Sequence, residues 1–138
     1  MRQISVFLEN KAGQLAELTE FLSKKQVNLR ALSVADTQDF GIVRIIASDP
    51  EGCAALLQDA GYIYNIVDVL AVSVSDEPGA LAKTLAILAE KQISVEYIYA
   101  FLSSKPGYAN LIFRVEDGAR DAAIYALKQS GIQSVEGV

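Results

Sequence analysis

The chain has 138 residues, 51% of them hydrophobic, with a formal net charge of −5, one cysteine and no histidine. That inventory excludes an internal disulfide and, within one chain, a Ser–His–Asp triad, a Cys–His pair or an ordinary zinc site. The acidic balance opposes a phosphate-backbone partner, which needs clustered Lys and Arg, and no apolar run spans a bilayer.

The first residues, Met1 to Val6, read as a strand start rather than a signal peptide, so a cytoplasmic protein is expected, with no membrane segment, metal or cofactor. Ile4–Leu8 is short and apolar-rich, hence strand. Asn10 follows as an expected N-cap, and Leu15, Leu18 and Leu22 fall on one helical face. Leu29–Ala35 reads as a second strand, a turn follows at 37–39, and Gly41–Ala47 reads as a third. Asp49-Pro50-Glu51 opens a second helix, with a capping residue followed by Pro at the first helical position. Gly61 ends it, and a fourth strand follows near 63–67.

The same order then repeats. Leu70–Val74 is a strand, Asp76 an expected N-cap, and Leu81, Leu85 and Leu88 the apolar face of a helix. Strands follow at 95–102 and 109–115, joined by Lys105-Pro106-Gly107, a pair suited to a type II turn. A helix opens near Asp117-Gly118, Gly131 ends it, and a last strand covers about 133–135. Shifting the halves by 66 positions matches Gly13 with Gly79, Leu15 with Leu81, Leu22 with Leu88, Lys25 with Lys91 and Gln26 with Gln92. Such internal matching marks a duplicated unit. The fold class is therefore α+β: a ferredoxin-like βαββαβ unit repeated twice, helices on one face of antiparallel sheets. Two domains are expected, 1–68 and 69–138, in one continuous eight-stranded sheet or two sheets side by side.

Each half carries a glycine loop between its first strand and first helix: "NKAGQL" at 10–15 and "DEPGAL" at 76–81. With "VNL" at 27–29 and the βαββαβ order, these loops make the whole chain resemble a tandem ACT-domain protein. Ala12 stands where that family usually has proline, and Ser94 where the second half would carry Asn. The resemblance implies a non-catalytic regulatory module that binds an amino acid at an interface between domains or subunits, as a homodimer. The alternative is a regulatory or assembly subunit that docks on an amino-acid biosynthetic enzyme and has no ligand of its own.

A free amino acid presents a carboxylate that needs N–H donors and an ammonium that needs acceptors. A helix start offers unpaired amides and a partial positive charge, and Gly13 and Gly79 would let a ligand approach the backbone. Asn28 can both donate and accept; closing the preceding turn is its competing role. Asn10 and Asp76 are placed as caps before ligand groups. The ligand-binding set expected on the resemblance is Asn10, Lys11, Ala12, Gly13, Gln14 and Leu15; Asn28, Leu29 and Leu32; Asp76, Glu77, Pro78, Gly79, Ala80 and Leu81; and Tyr97, Ile98 and Tyr99. The expected sites pair one half's glycine loop with the other half's second strand. Tyr97, Tyr99 and Phe101 share a strand face, as in base-stacking RNA platforms, but the missing basic patch opposes nucleic acid. Arg44, flanked by Ile42 and Ile46, needs a partner, and a subunit contact is expected. Cys53 reads as a small buried hydrophobe and Lys24-Lys25 as a solvated helix face. No convergent set of titratable groups supports an enzyme.

Overall fold

The structure, a computed structural model, describes residues 1–37 and 39–135. Its elements run β1 (Arg2–Glu9), α1 (Gln14–Lys24), β2 (Leu29–Asp36), β3 (Phe40–Ala47), α2 (Pro50–Asp59), β4 (Ile63–Asp68), β5 (Leu70–Ser75), α3 (Ala80–Glu90), β6 (Tyr97–Leu102), β7 (Tyr108–Arg114), α4 (Arg120–Gln129) and β8 (Gln133–Ser134). The chain divides into two compact units, one of Arg2–Val67 and one from Asp68 onward that also takes in Met1. Each unit holds one four-stranded sheet, ordered β2-β3-β1-β4 in the first and β6-β7-β5-β8 in the second. The hydrogen bonds therefore make two sheets, not the continuous eight-stranded one.

Strict alternation builds both cores. In β1, Ile4, Val6 and Leu8 point to the helices and pack with Leu18, Leu22, Val43, Ile45 and Leu57. In β5, Leu70, Val72 and Val74 pack with Leu88, Leu111, Phe113 and Leu127. Successive strand residues face opposite ways, so every second position feeds the core. Leu15 and Leu81 depart from the expected helical stripe. They are 39% and 44% exposed, each in the first turn of its helix.

Helix ends follow local chemistry. Asp49 caps α2, its carboxylate accepting from the Gly52 N–H at 3.1 Å, with Pro50 at the start. A Cβ on Gly52 would come within 2.2 Å of that carboxylate, so a larger residue there would make the Asp49 side chain turn. Asn10 and Asp76 cap nothing: the residues preceding α1 and α3 are Gly13 and Gly79, in left-handed conformation. The loop takes an extra turn first, with the Lys11 N–H donating to the Glu9 carbonyl at 2.9 Å, and this carries the helix start beyond Asn10. A short 3-10 turn at Asp117–Ala119 precedes α4. The Lys105–Tyr108 turn closes as expected, the Tyr108 N–H donating to the Lys105 carbonyl at 3.2 Å, with Gly107 at φ 78°.

Candidate functional site

The two glycine loops are copies in geometry as well as sequence. Gly13 has φ 90° and Gly79 φ 93°, and a Cβ on either would meet nothing within 4 Å. Glycine is needed there for the backbone angle, not for lack of space. The Gln14 N–H bonds the Lys11 carbonyl at 3.3 Å, and the Ala80 N–H bonds the Glu77 carbonyl at 3.2 Å. Intrahelical bonding begins when the Glu17 N–H reaches Gly13 and the Lys83 N–H reaches Gly79, both at 2.9 Å. The intervening amides, of Leu15 and Ala16 and of Leu81 and Ala82, precede that first bond, and no side chain caps either helix. They are the donors a helix start leaves over.

In the first unit Leu15 borders a cleft of about 330 Å³, whose other lining residues are Leu8, Glu9, Asn10, Lys11, Gln14, Val34, Ala35, Asp36, Gly41 and Val43. Asn10 shapes its rim, its Nδ2 donating to the Thr37 carbonyl at 2.9 Å while its Oδ1 lies against Gly41. Lys11 and Glu9 form an exposed ion pair at 2.7 Å. The hydrogen bond from Lys11 holds the Glu9 carboxyl below the usual range, and the same contact raises Lys11.

The structure thus gathers Asn10, Lys11, Gln14 and Leu15 at one cleft, with Ala12 and Gly13 exposed in the same loop. It adds Val34–Asp36, which the sequence reasoning missed. The signal was available: β1 pairs with β3 from Ile4↔Ile45 to Glu9↔Phe40, and β2 returns against β3 with Asp36 opposite Gly41. That register sets the C-terminal end of β2, not its start, at the level of the loop. Asn28 and Leu29 lie at the opposite end of the first sheet, since Leu29 pairs with Ala47. Six residues of strand separate them from the loop level, about 20 Å. There Asn28 donates from Nδ2 to the Ser48 hydroxyl at 2.9 Å and its carbonyl accepts the Ser48 N–H at 3.1 Å, a tie to the segment after β3 rather than closure of the preceding turn. Leu32 stands between, paired with Ile45.

The second unit repeats the pattern. Asp76, Glu77, Pro78 and Gly79 are exposed, Ala80 is half-buried, and the Asp76 N–H ties the loop to the Gly107 carbonyl at 2.9 Å. Tyr97 and Tyr99, opposite Arg114 and Ile112, point away from the helices, while Ile98 packs on the core. Arg114 gathers this end of the sheet, donating to the Asp68 carbonyl and to the Asp117 carboxylate, both at 2.9 Å. The Asp117 hydrogen bond raises the guanidinium's pKa further. Arg44 stands between Ser5 and Ser33 on its neighbouring strands. Cys53 is buried in the first core; burial, then Asp49, raises its thiol pKa, so it stays an inert thiol. No group of three or more His, Cys, Asp or Glu among the described residues could hold a metal, and none of their helices is long and apolar enough to cross a membrane.

Two βαββαβ units with matching glycine loops define a tandem α+β architecture. The family model described as an ACT domain pair matches residues 1–135, and the chain belongs to that family. Its fold is similar to that of protein BT0572 from Bacteroides thetaiotaomicron, with TM-score 0.88 and 40% identity over 97% of this chain and 90% of that one. The regulatory subunit of aspartate kinase from Thermus flavus shares the fold, with TM-score 0.65 and 15% identity over 93% of this chain and 90% of that one. In sequence, 77 residues (55% of this chain) are 29% identical to the acetolactate synthase small subunit of Buchnera aphidicola subsp. Baizongia pistaciae. That match covers 48% of the relative, so the chain spans about half of its length.

Proposed function

We propose that this chain is a non-catalytic regulatory module, a homodimer that binds a free amino acid in the cleft beside Gly13. The observation that carries the reading is the uncapped start of α1, where the Leu15 and Ala16 N–H groups precede the first helical bond and Leu15 lines a 330 Å³ cleft. The ligand carboxylate takes those N–H groups and the positive end of α1; its ammonium takes the Asp36 carboxylate across the cleft. The first loop suits a carboxylate better than the second. It carries Asn10 and Lys11 where the second carries Asp76 and Glu77, two like charges beside the incoming anion.

Thermal melting with each of the twenty amino acids tests this. A ligand at a hundredfold excess over its Kd adds about 2.7 kcal/mol, or roughly 9 °C for a cooperative domain of this length. Gly13→Ala and Gly79→Ala impose the same left-handed strain, about 1 kcal/mol each. The ligand shift is expected to vanish in Gly13→Ala and persist in Gly79→Ala. A shift with no amino acid defeats the reading.

A second reading has its own observation, the partial match to an acetolactate synthase small subunit. In it the chain docks on an amino-acid biosynthetic enzyme and has no ligand of its own. It requires melts unmoved by every amino acid together with a copurifying enzyme of that class.

A further inference from the structure

The first unit has a second groove, of about 470 Å³, on the other flank of β1. β1 lies between β3 and β4 in its sheet, and the cleft beside Gly13 takes its far wall from β2 and β3. The second groove takes its far wall from Gly61, Tyr62 and Ile63, where β4 begins. Three aromatic side chains line it, Phe7, Phe21 and Tyr62, with the carboxylates of Glu9 and Glu17 and with no lysine or arginine. The Phe21 and Tyr62 rings have centroids 5.7 Å apart and planes inclined at 43°. Both pack against the first core. The chain after α2 fixes the second ring: Gly61, at φ 83°, ends the helix, and the Tyr62 N–H returns to the Leu57 carbonyl at 3.0 Å. Glu17 stands four positions before Phe21, so the two share a face of α1.

The two carboxylates are not equally engaged. Glu9 forms its ion pair with Lys11, whereas Glu17 is exposed and stands in no ion pair among the described residues. Its charge reaches the groove: the Tyr62 hydroxyl's pKa is raised by burial and then by Glu17. An aromatic face attracts a cation within about 6 Å of its centre, and an unpaired carboxylate close by adds to that attraction. We propose that this groove binds a small organic cation, an alkylated ammonium with no carboxylate of its own. The inclined rings of Phe21 and Tyr62 take the alkyl groups on its nitrogen, and Glu17 balances its charge. A free amino acid is disfavoured here, because its carboxylate would meet Glu9 and Glu17. A volume of 470 Å³ lies within the ordinary range of small-molecule pockets. The proposal goes beyond the reading of the cleft beside Gly13 and does not depend on it.

Choline and neohexyl alcohol, in which carbon replaces the quaternary nitrogen, are the probes. Each is titrated to about 50 mM into the isotope-labelled full chain and followed by amide NMR shifts. Choline is expected to move the amides of Phe21, Gly61 and Tyr62 and to bind at least about fivefold more tightly than the uncharged alcohol. Phe21→Leu keeps an apolar wall without the ring's face, and Glu17→Gln keeps the shape without the charge. Each should weaken choline at least about threefold, and Glu17→Gln should leave the alcohol unchanged. The variants' amide spectra check that both remain folded. Choline bound no tighter than the alcohol, shifts confined to other residues, or no shift at all overturns the site. So does choline binding that neither substitution weakens. In Gly13→Ala, choline binding should persist while the amino-acid melting shift is lost, so either reading can fail without the other. Choline binding lost in Gly13→Ala would place the cation in the first cleft and overturn the separate groove.

Discussion

Single side chains decide more here than their number suggests. Cys53 is the clearest case for pH. Burial raises its thiol, so the native state holds a proton that the unfolded chain releases above about pH 8.5. Its favourable contribution is complete below that point and is lost as pH rises through the higher native value. Tyr62, raised by burial and then by Glu17, extends the same trend to more alkaline pH. Urea midpoints of the wild type should therefore fall between about pH 8 and pH 10. Cys53→Ala should flatten that fall; an equally steep profile would show that the thiol is not its source. Individual site residues were unevenly legible at this scale. Glycine loops announce themselves because only glycine adopts the required angle cheaply. Asn28 was less legible, because an Asn at a strand start reads the same in the sequence whether it faces a ligand or, as it does here, bonds Ser48.

Elements were the most readable level, because strand alternation and helix punctuation are local. The boundaries of β1 to β7 lie within two residues of the expected ones; the second half is longer than the first by two residues in the β6–β7 turn and by two more before α4. Helix starts were less readable, since an Asn or Asp four positions before the first helical residue caps only if no further turn intervenes. Helix ends carry a signal that the matched pair Gln26 and Gln92 already held. Both glutamines have φ 57°, and the N–H after each returns to a carbonyl one turn back, Val27 to Leu22 at 2.9 Å and Ile93 to Leu88 at 3.0 Å. This is the left-handed helix ending that glycine normally occupies, as Gly61 and Gly131 do after α2 and α4. Gln26→Gly and Gln92→Gly should each stabilise by about 1 kcal/mol, less what glycine adds to the unfolded chain's freedom. A lower melting temperature in either variant would mean that the glutamine side chain contributes more than its backbone costs.

For the molecule as a whole, duplication has produced two separate cores. Leu57 and Leu127 occupy equivalent places, each fully buried, one in each cluster. Leu57→Ala and Leu127→Ala should each cost about 2–5 kcal/mol, as buried leucines do. In the double variant the two losses should add to within about 0.5 kcal/mol, since the sites share no packing partner. Denaturant titration of the three variants checks this, and a clear excess or deficit would reveal coupling between the cores. The repeat was legible in the sequence because both copies keep their turn residues. Which side chains stand beside each loop was not, because that depends on the strand register.

The fastening of the two loops carries a consequence for their divergence. In the second half a main-chain amide, that of Asp76, anchors the loop to the Gly107 carbonyl, and no substitution short of proline removes a main-chain donor. In the first half the Asn10 side chain reaches across to Thr37, a bond that one nucleotide change can abolish or redirect. Mutation can therefore loosen or retune the first loop while the second keeps its backbone anchor. Sequence drift therefore has an easier route through the first loop than through the second.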